Sequence, residues 1–383
     1  MKSRHQKLRI AFLVTHPKFR LGGAEKQAQS LARFLAQQGW EITWLTRNNS
    51  RKLYHDRLKR DSFIKSDFRI FSMPYNPFFW RLFIPFFWIW LLIRSSPKVI
   101  YCRTVVIDLI IALIYKSLVR NTKVIWHCSS DIEVSNNAGE YLKTSSRNLT
   151  DRIGVKLVLK LTRLAFRIVD GVITQNQDQQ FYFRQLNKSV VLIPNIAIGS
   201  SKPYPKKRQI SWIGSFENPK RRFPLLMARL ARETGLKDVQ FYVGGYGKAE
   251  VTRELQIQAN MLKNFTYLGK MSYSEANRLI TESMVYVNTS FAEGFPNTFI
   301  QAWQSRTLVI SLLVDPNRYC YSKRNLGWCA DGSFKKMREL VIKGLRETED
   351  NSKILDFAQS FALNELSLER IGNLFERFLI LGS

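Results

Sequence analysis

Acidic residues are scarce in this 383-residue chain: 30 Asp and Glu stand against 59 Lys and Arg, a formal net charge of +29. Cysteine and histidine are scarcer still, at four each. Cys102, Cys128, Cys320 and Cys329 make no C-x-x-C pair and have no histidine at zinc-finger spacing. A structural zinc site is therefore not expected, and the thiols read as reduced and cytosolic. The apolar stretch Leu82 to Ile93, inside the aromatic segment Pro77 to Ile93, falls short of the roughly 20 residues a spanning helix needs. Near the N-terminus, the run Ile10 to Val14 is too short for a signal segment and meets His16 and Pro17, so it reads as a strand. The basic charge comes with no RNP-type sequence and no helix-turn-helix signal. The aromatics gather in an apolar run instead of alternating with basic residues, which argues against nucleic acid as the partner.

What is present describes a globular chain: 45% of residues are hydrophobic and 23% charged, over a length that suits two ordinary domains. The first strand, IAFLV, is a short continuous apolar run of the kind buried on both faces of a parallel sheet. A helix is expected from about Ala24, with Ala24, Ala28, Leu31 and Leu35 on one face and Gly39 as its stop. Strand signals recur at Ile42–Leu45, Val99–Cys102, Val124–Trp126, Val172–Thr174 and Val190–Ile193. After Pro194 and the stretch Gly199 to Pro205, which reads as a linker, the alternation restarts with Ile210–Ile213, a helix over Pro224–Glu233 and strand Gln240–Val243. Strands at Phe265–Leu268, Val285–Thr289 and Leu308–Leu312 follow, with helices over Ser274–Glu282 and Asn297–Ser305. Two βα-repeating halves imply an α/β chain of two doubly wound domains.

The most specific pattern is FAEGFPNTFIQA, Phe291 to Ala302. A strand ends in small and hydroxyl-bearing residues and runs into Glu293, Gly294, Phe295 and Pro296, and a helix opens near Asn297. Such a loop holds one carboxylate at a helix mouth, where backbone N–H groups attract a phosphorylated or hydroxyl-rich ligand. A second constellation is WIGSFENPKRR, Trp212 to Arg222, in which a strand ending at Gly214 leads through Ser215 to Lys220, Arg221 and Arg222. Fixed cations of this kind suit a diphosphate leaving group, on which charge grows; a solvated basic turn is the other reading. A third is LGGAEKQ, with Gly22 and Gly23 at the turn before the first helix. His127 stands at the end of a strand, either at a ligand site or as a satisfied structural residue. The glycines Gly244, Gly245 and Gly247 read as a G-x-G turn.

The Phe291–Ala302 segment closely resembles the Glu-x7-Glu signature of the retaining nucleotide-sugar glycosyltransferases of family four, whose two Rossmann-like domains face a central cleft in the GT-B fold. The resemblance covers most of the chain and is most specific between Gln209 and Val309. It implies that Glu293 contacts the donor sugar and that Gly294, Phe295, Pro296 and Asn297 line the donor site. The position that meets the ribose hydroxyls is Gln301, where the family has a second Glu; one acceptor oxygen remains and the charge is gone. Ser215, after Gly214, stands where relatives have Arg, while the Lys position is matched by Lys220, with Arg221 beside it. Gly22 and Gly23 match the family's GGAE loop, Gly245 its G-x-G turn, and Asn195 its interdomain P-N turn. His127 falls where the family often has a His beside the reacting centre.

The domains expected from this are residues 1–200 on the acceptor side, 201–362 on the donor side, and a C-terminal helix, 363–383, crossing back to the first domain. The activity implied is transfer of a sugar from a nucleotide-diphosphate donor to a glycan or lipid-linked acceptor, with retained configuration. No D-x-D pair ends a strand, so no metal and no cofactor beyond the donor substrate is expected. A degenerate relative that binds nucleotide or glycan without turnover is the alternative, supported by Gln301 and Ser215. Residues 1–200 hold 32 Lys and Arg against 12 Asp and Glu, or +20, leaving 27 against 18, or +9, for the rest. That imbalance suggests a cytoplasmic protein peripheral to an anionic membrane face, with Pro77 to Ile93 either core or interfacial and the cluster Arg51 to Arg60 as a source of charge.

Overall fold

The structure is a computed structural model that describes residues 8–15, 23–47, 68–73, 80–103, 106–128, 161, 163–186, 189–198, 204–217, 223–320, 325–346 and 349–382. The chain divides into two compact units. Unit 1 is Met1–Pro194 with Leu368–Ser383, and unit 2 is Asn195–Ser367.

Unit 1 is built on a parallel sheet in the order β3-β2-β1-β4-β5-β6-β7. Its strands are β1 (Arg9–Leu13), β2 (Glu41–Arg47), β3 (Phe68–Met73), β4 (Val99–Arg103), β5 (Lys123–His127), β6 (Gly171–Thr174) and β7 (Val190–Leu192). Strand β4 is buried at every position, the burial its unbroken apolar run requires. Helix α1 (Gly23–Gln37) returns the chain from β1 to β2 and ends at Gly39, whose φ of +88° is a left-handed value that glycine adopts without strain. Four helical segments serve the rightward crossovers: α2 (Trp80–Ser95), α3 (Val106–Leu118), residues 163–168 and α4 (Gln177–Arg184). Right-handed crossovers in opposite directions put these four on one sheet face and α1 on the other. Strand β3, FRIFSM, escapes the sequence patterns because only one of its edges is paired among the described residues and Phe68, Ile70 and Phe71 are only half-buried.

Unit 2 repeats the plan, with a sheet in the order β10-β9-β8-β11-β12-β13. Its elements are β8 (Lys207–Phe216), α5 (Leu225–Glu233), β9 (Gln240–Gly247), α6 (Ala249–Met261), β10 (Phe265–Gly269), α7 (Tyr273–Glu282), β11 (Ser283–Asn288), α8 (Asn297–Gln304), β12 (Leu308–Ser311), β13 (Trp328–Cys329), α9 (Phe334–Gly344) and α10 (Glu349–Asn364). Two expectations are corrected here. Strand β8 does not stop at Gly214 but runs to Phe216, and β9 runs through the supposed G-x-G turn to Gly247, because the two pair through Gly214↔Gly245, Ser215↔Tyr246 and Phe216↔Gly247. Ser215 and Gly245 are thus strand residues. Gly245 has φ of +148°, and a Cβ there would overlap the carbonyl oxygen of Gly214. The glycine is required by the close approach of two strands, not by a turn.

The last helix, α11 (Leu368–Leu381), belongs to unit 1. Gly372 lets the ring of Phe34 on α1 come within contact distance, Phe375 meets Tyr101 edge-on, and Trp40 Nε1 donates to Glu376 Oε1 at 2.7 Å. The C-terminal helix therefore crosses back to the first domain, and the chain is an α/β protein of two Rossmann-like units. Among the described residues, no helix is long and apolar enough to cross a membrane.

Candidate active site

In both sheets the strand order reverses once, between β1 and β4 and between β8 and β11. Ligands of doubly wound folds bind beyond the carboxyl ends of the strands at such a reversal. In unit 2 this point brings together the ends of the two segments singled out by sequence, Gly214–Ser215 on β8 and the loop after β11 that carries Glu293.

The Glu293 loop is pinned from several sides. Ser290 Oγ donates to Glu293 Oε1 at 2.5 Å, and Asn288 Nδ2 lies 3.4 Å from the same oxygen. Asn288 Oδ1 also accepts from the Ser290 backbone N–H at 2.9 Å, which closes the turn on itself. Thr289 Oγ1 links outward, accepting from Trp212 Nε1 at 2.8 Å and donating to Phe223 O at 2.9 Å. Phe223 in turn packs edge-on against Phe291, ring centroids 5.0 Å apart. Phe223 follows the loop of Lys220, Arg221 and Arg222. Those three cations lie outside the described residues, but the residue at which their loop ends is tied to the Glu293 loop.

Helix α8 opens at Asn297 as expected, with Pro296 as N-cap and no side-chain cap hydrogen bond. The donor role expected of Phe295 is corrected in part. Its ring is 3% exposed and packs edge-on to Trp303 and Tyr319, so the side chain is core. Its carbonyl accepts from Asn195 Nδ2 at 2.7 Å, which makes Asn195 a prop of this loop. Gln301 is 7% exposed; its Nε2 donates to Asn277 Oδ1 at 3.3 Å, and its side chain is also hydrogen-bonded to the hydroxyl of Tyr273. Burial pushes that tyrosine's pKa up, and the bond to Gln301 opposes the shift.

In unit 1, Gly23 begins α1 beyond the end of β1, at that sheet's own reversal, and Gly22 lies outside the described residues. His127 ends β5 and is 2% exposed. Its Nδ1 is 2.6 Å from the Tyr101 hydroxyl, and its Nε2 has no hydrogen-bond partner among the described residues. Burial holds its pKa well below the usual value of 6.5, and the nearby Arg103 guanidinium pushes the same way, so the ring is neutral. The polar run Ser129 to Asp131 lies outside the described residues.

Sequence reasoning missed Ser290 and Asn288 as supports of Glu293, and Tyr273 and Asn277 as partners of Gln301. The first two carried a signal in the hydroxyl- and amide-rich end of β11; the second two had none, since α7 and α8 meet only in the fold. The buried Arg103 was also unmarked. Among the described residues, no group of three or more His, Cys, Asp or Glu is placed to hold a metal ion.

Two doubly wound units, one with a buttressed carboxylate at the reversal of its sheet, make an architecture of the GT-B kind. Residues 21–196 match the model of glycosyltransferase family 4, and residues 207–343 match the model of glycosyl transferases group 1. Together these take in most of the chain, which belongs to the family-four glycosyltransferases. Solved structures agree in fold. Sucrose-phosphate synthase from Thermosynechococcus elongatus superposes with a TM-score of 0.74 at 14% identity, covering 98% of this chain and 100% of that one. HepE of Anabaena, solved in complex with UDP-glucose, gives 0.71 at 15% identity over 97% and 99%. A glycosyltransferase from Rickettsia africae gives 0.69 at 15% identity over 99% and 100%. No curated protein matches the sequence.

Proposed function

We propose that the chain transfers a sugar from a nucleotide-diphosphate donor to a glycan or lipid-linked acceptor, with retention of configuration and without a divalent metal, on the cytoplasmic face of a membrane. The observation that carries this reading is Glu293, a carboxylate held by Ser290 and Asn288 at the β8/β11 reversal and at the mouth of α8. The family-model matches and the UDP-glucose bound by HepE support the donor class.

In this mechanism Glu293 accepts hydrogen bonds from neighbouring hydroxyls of the donor sugar and fixes the anomeric carbon in its reactive pose. The bond from that carbon to the leaving phosphate oxygen breaks while the acceptor oxygen bonds on the same face. The acceptor's proton passes to the departing phosphate oxygen. Lys220, with Arg221 beside it, and the amide end of α8 hold the growing negative charge. Gln301 serves the ribose; Gly22 and Gly23 are assigned to donor binding, and His127 to the reacting centre.

Nucleotide sugars are first screened by thermal shift, since a ligand bound only by the native state raises the melting temperature. With the donor so found, Glu293→Ala should lower kcat by about a hundredfold or more at an unchanged melting temperature. Unchanged kcat would take Glu293 out of the site. EDTA should leave turnover as it is, and strict dependence on added Mg²⁺ would overturn the metal-free route. A donor that binds the unaltered protein and is never transferred would favour the degenerate, binding-only reading.

A further inference from the structure

We propose that the layer of helices on one face of unit 1 docks on an anionic lipid bilayer. Helices α2 and α3, residues 163–168 and α4 send one side each into a single core, through Trp88, Leu92, Tyr115, Phe166 and Phe183. Their other sides carry apolar surface that nothing among the described residues covers. On α2, Phe86 is 72% exposed, Ile93 52% and Trp90 49%, with Phe87 stacked on Trp90. Leu118 of α3 is 63% exposed and Leu164 is 52% exposed. Helix α2 reads WRLFIPFFWIWLLIRS, apolar on every side, so burying one face against the sheet leaves the other unsatisfied. At 16 residues it is too short to span a bilayer, and a place along the bilayer interface remains.

Charge selects the partner. Arg94, Arg120, Arg163 and Arg167 are exposed on this layer, and the Arg94 guanidinium lies 5.5 Å from the Trp90 ring centre. Among the described residues of 80–128 and 161–186 there are three carboxylates. Asp108 is buried, Asp170 is bound to Lys116 at 2.5 Å and accepts from the Val124 N–H, and Asp178 stands in the first turn of α4. Among the described residues of this layer the arginines therefore meet few acids. Helix α11, on the opposite side of the same sheet, alternates Glu369, Arg370, Glu376 and Arg377. An exposed aromatic and aliphatic face set among arginines with few acids matches an anionic bilayer, whose headgroups take the guanidinium groups and whose acyl boundary takes the rings. The assignment deepens the membrane-face part of the proposed function, but its test does not pass through turnover.

The experiment is sedimentation of the full chain with vesicles of phosphatidylcholine alone and of phosphatidylcholine and phosphatidylglycerol in equal parts, at low and high salt. Binding is expected only to the anionic vesicles and should weaken with salt, because the screening length is about 10 Å at 0.1 M. The double variant Phe86→Ser/Trp90→Ser and the double variant Arg163→Glu/Arg167→Glu should each lower the bound fraction by more than about tenfold. Binding of nucleoside diphosphate, measured by calorimetry, should be unchanged in both. Absence of binding to anionic vesicles at low salt overturns the proposal, as does binding that neither variant reduces. A dimer in sedimentation velocity that Phe86→Ser/Trp90→Ser dissolves would assign the face to a second copy of the chain and overturn it equally. The arginine pair sits on a different helix, so a folding defect in the aromatic variant leaves a second arm to decide.

Discussion

Two short side chains, Ser290 and Asn288, help to orient Glu293, and Ser290 is the nearer. A carboxylate that accepts from one hydroxyl and lies beside one amide loses its freedom to swing away, the preorganisation that positioning catalysis needs. Gln301 is held in another way, by Asn277 and Tyr273 on α7. Gln301→Glu should tighten nucleoside diphosphate binding by about 1 kcal/mol if this position serves the ribose, since a charged acceptor strengthens the bonds to its hydroxyls. Calorimetry decides it: equal or weaker binding would assign Gln301 to the packing of α7 on α8. His127 makes a separate prediction about stability. Its folded pKa lies well below 6.5, so below pH 6.5 the unfolded chain takes up a proton that the folded chain refuses. Stability is therefore full above 6.5 and falls as the pH drops, by about 1.4 kcal/mol per pH unit until the folded ring is protonated. Denaturant melts on both sides of pH 6.5 should show a shallower fall for His127→Gln; parallel falls would place the acid sensitivity elsewhere.

Strands β8 and β9 are the elements where local pattern and fold part company. The residues GGYG after Val243 carry every local mark of a turn, and they are strand because β8 lies alongside and pairs with them to the end. Gly245→Ala would set a Cβ against the carbonyl oxygen of Gly214 and hold alanine at φ of +148°. It should destabilise unit 2 by about 3 kcal/mol or more, read as a lower denaturant midpoint. A change within about 0.5 kcal/mol would mean that the two strands can separate at this end without loss. Helix α6 was not legible because Leu255 is its one buried residue, so it has scarcely an apolar face to announce it. The two-residue strand β13 is too short for any periodicity. By contrast α1, α7 and α8 were readable within a residue or so of their ends, because each has an apolar face against the sheet and a glycine, serine or proline at a boundary.

At the scale of the whole molecule, α11 makes the chain discontinuous. Ile371, Phe375, Phe378 and Leu379 are buried in unit 1, and Lys123 Nζ donates to the carbonyl of Ile380 at 2.7 Å. Removing residues 368–383 exposes that surface, at about 1.5–3 kcal/mol for each large side chain. The sum rivals the whole stability of an ordinary domain. The truncated protein should keep the thermal transition of unit 2 and lose that of unit 1, as resolved by calorimetry or hydrogen exchange; two intact transitions would contradict this. By itself the sequence determined the α/β class, the doubling of the βα plan and the Glu293 loop, because apolar periodicity, a proline–glycine boundary and a family motif are local properties that survive without contacts; the return of the last helix was implied by the family resemblance alone. Only the tertiary structure decided that Gly245 is strand, that Phe295 is core, that Gln301 answers to α7, and that the aromatic helix α2 buries one face and bares the other. Each of those depends on which distant segment lies alongside, and no spacing within one segment records its neighbour across the fold.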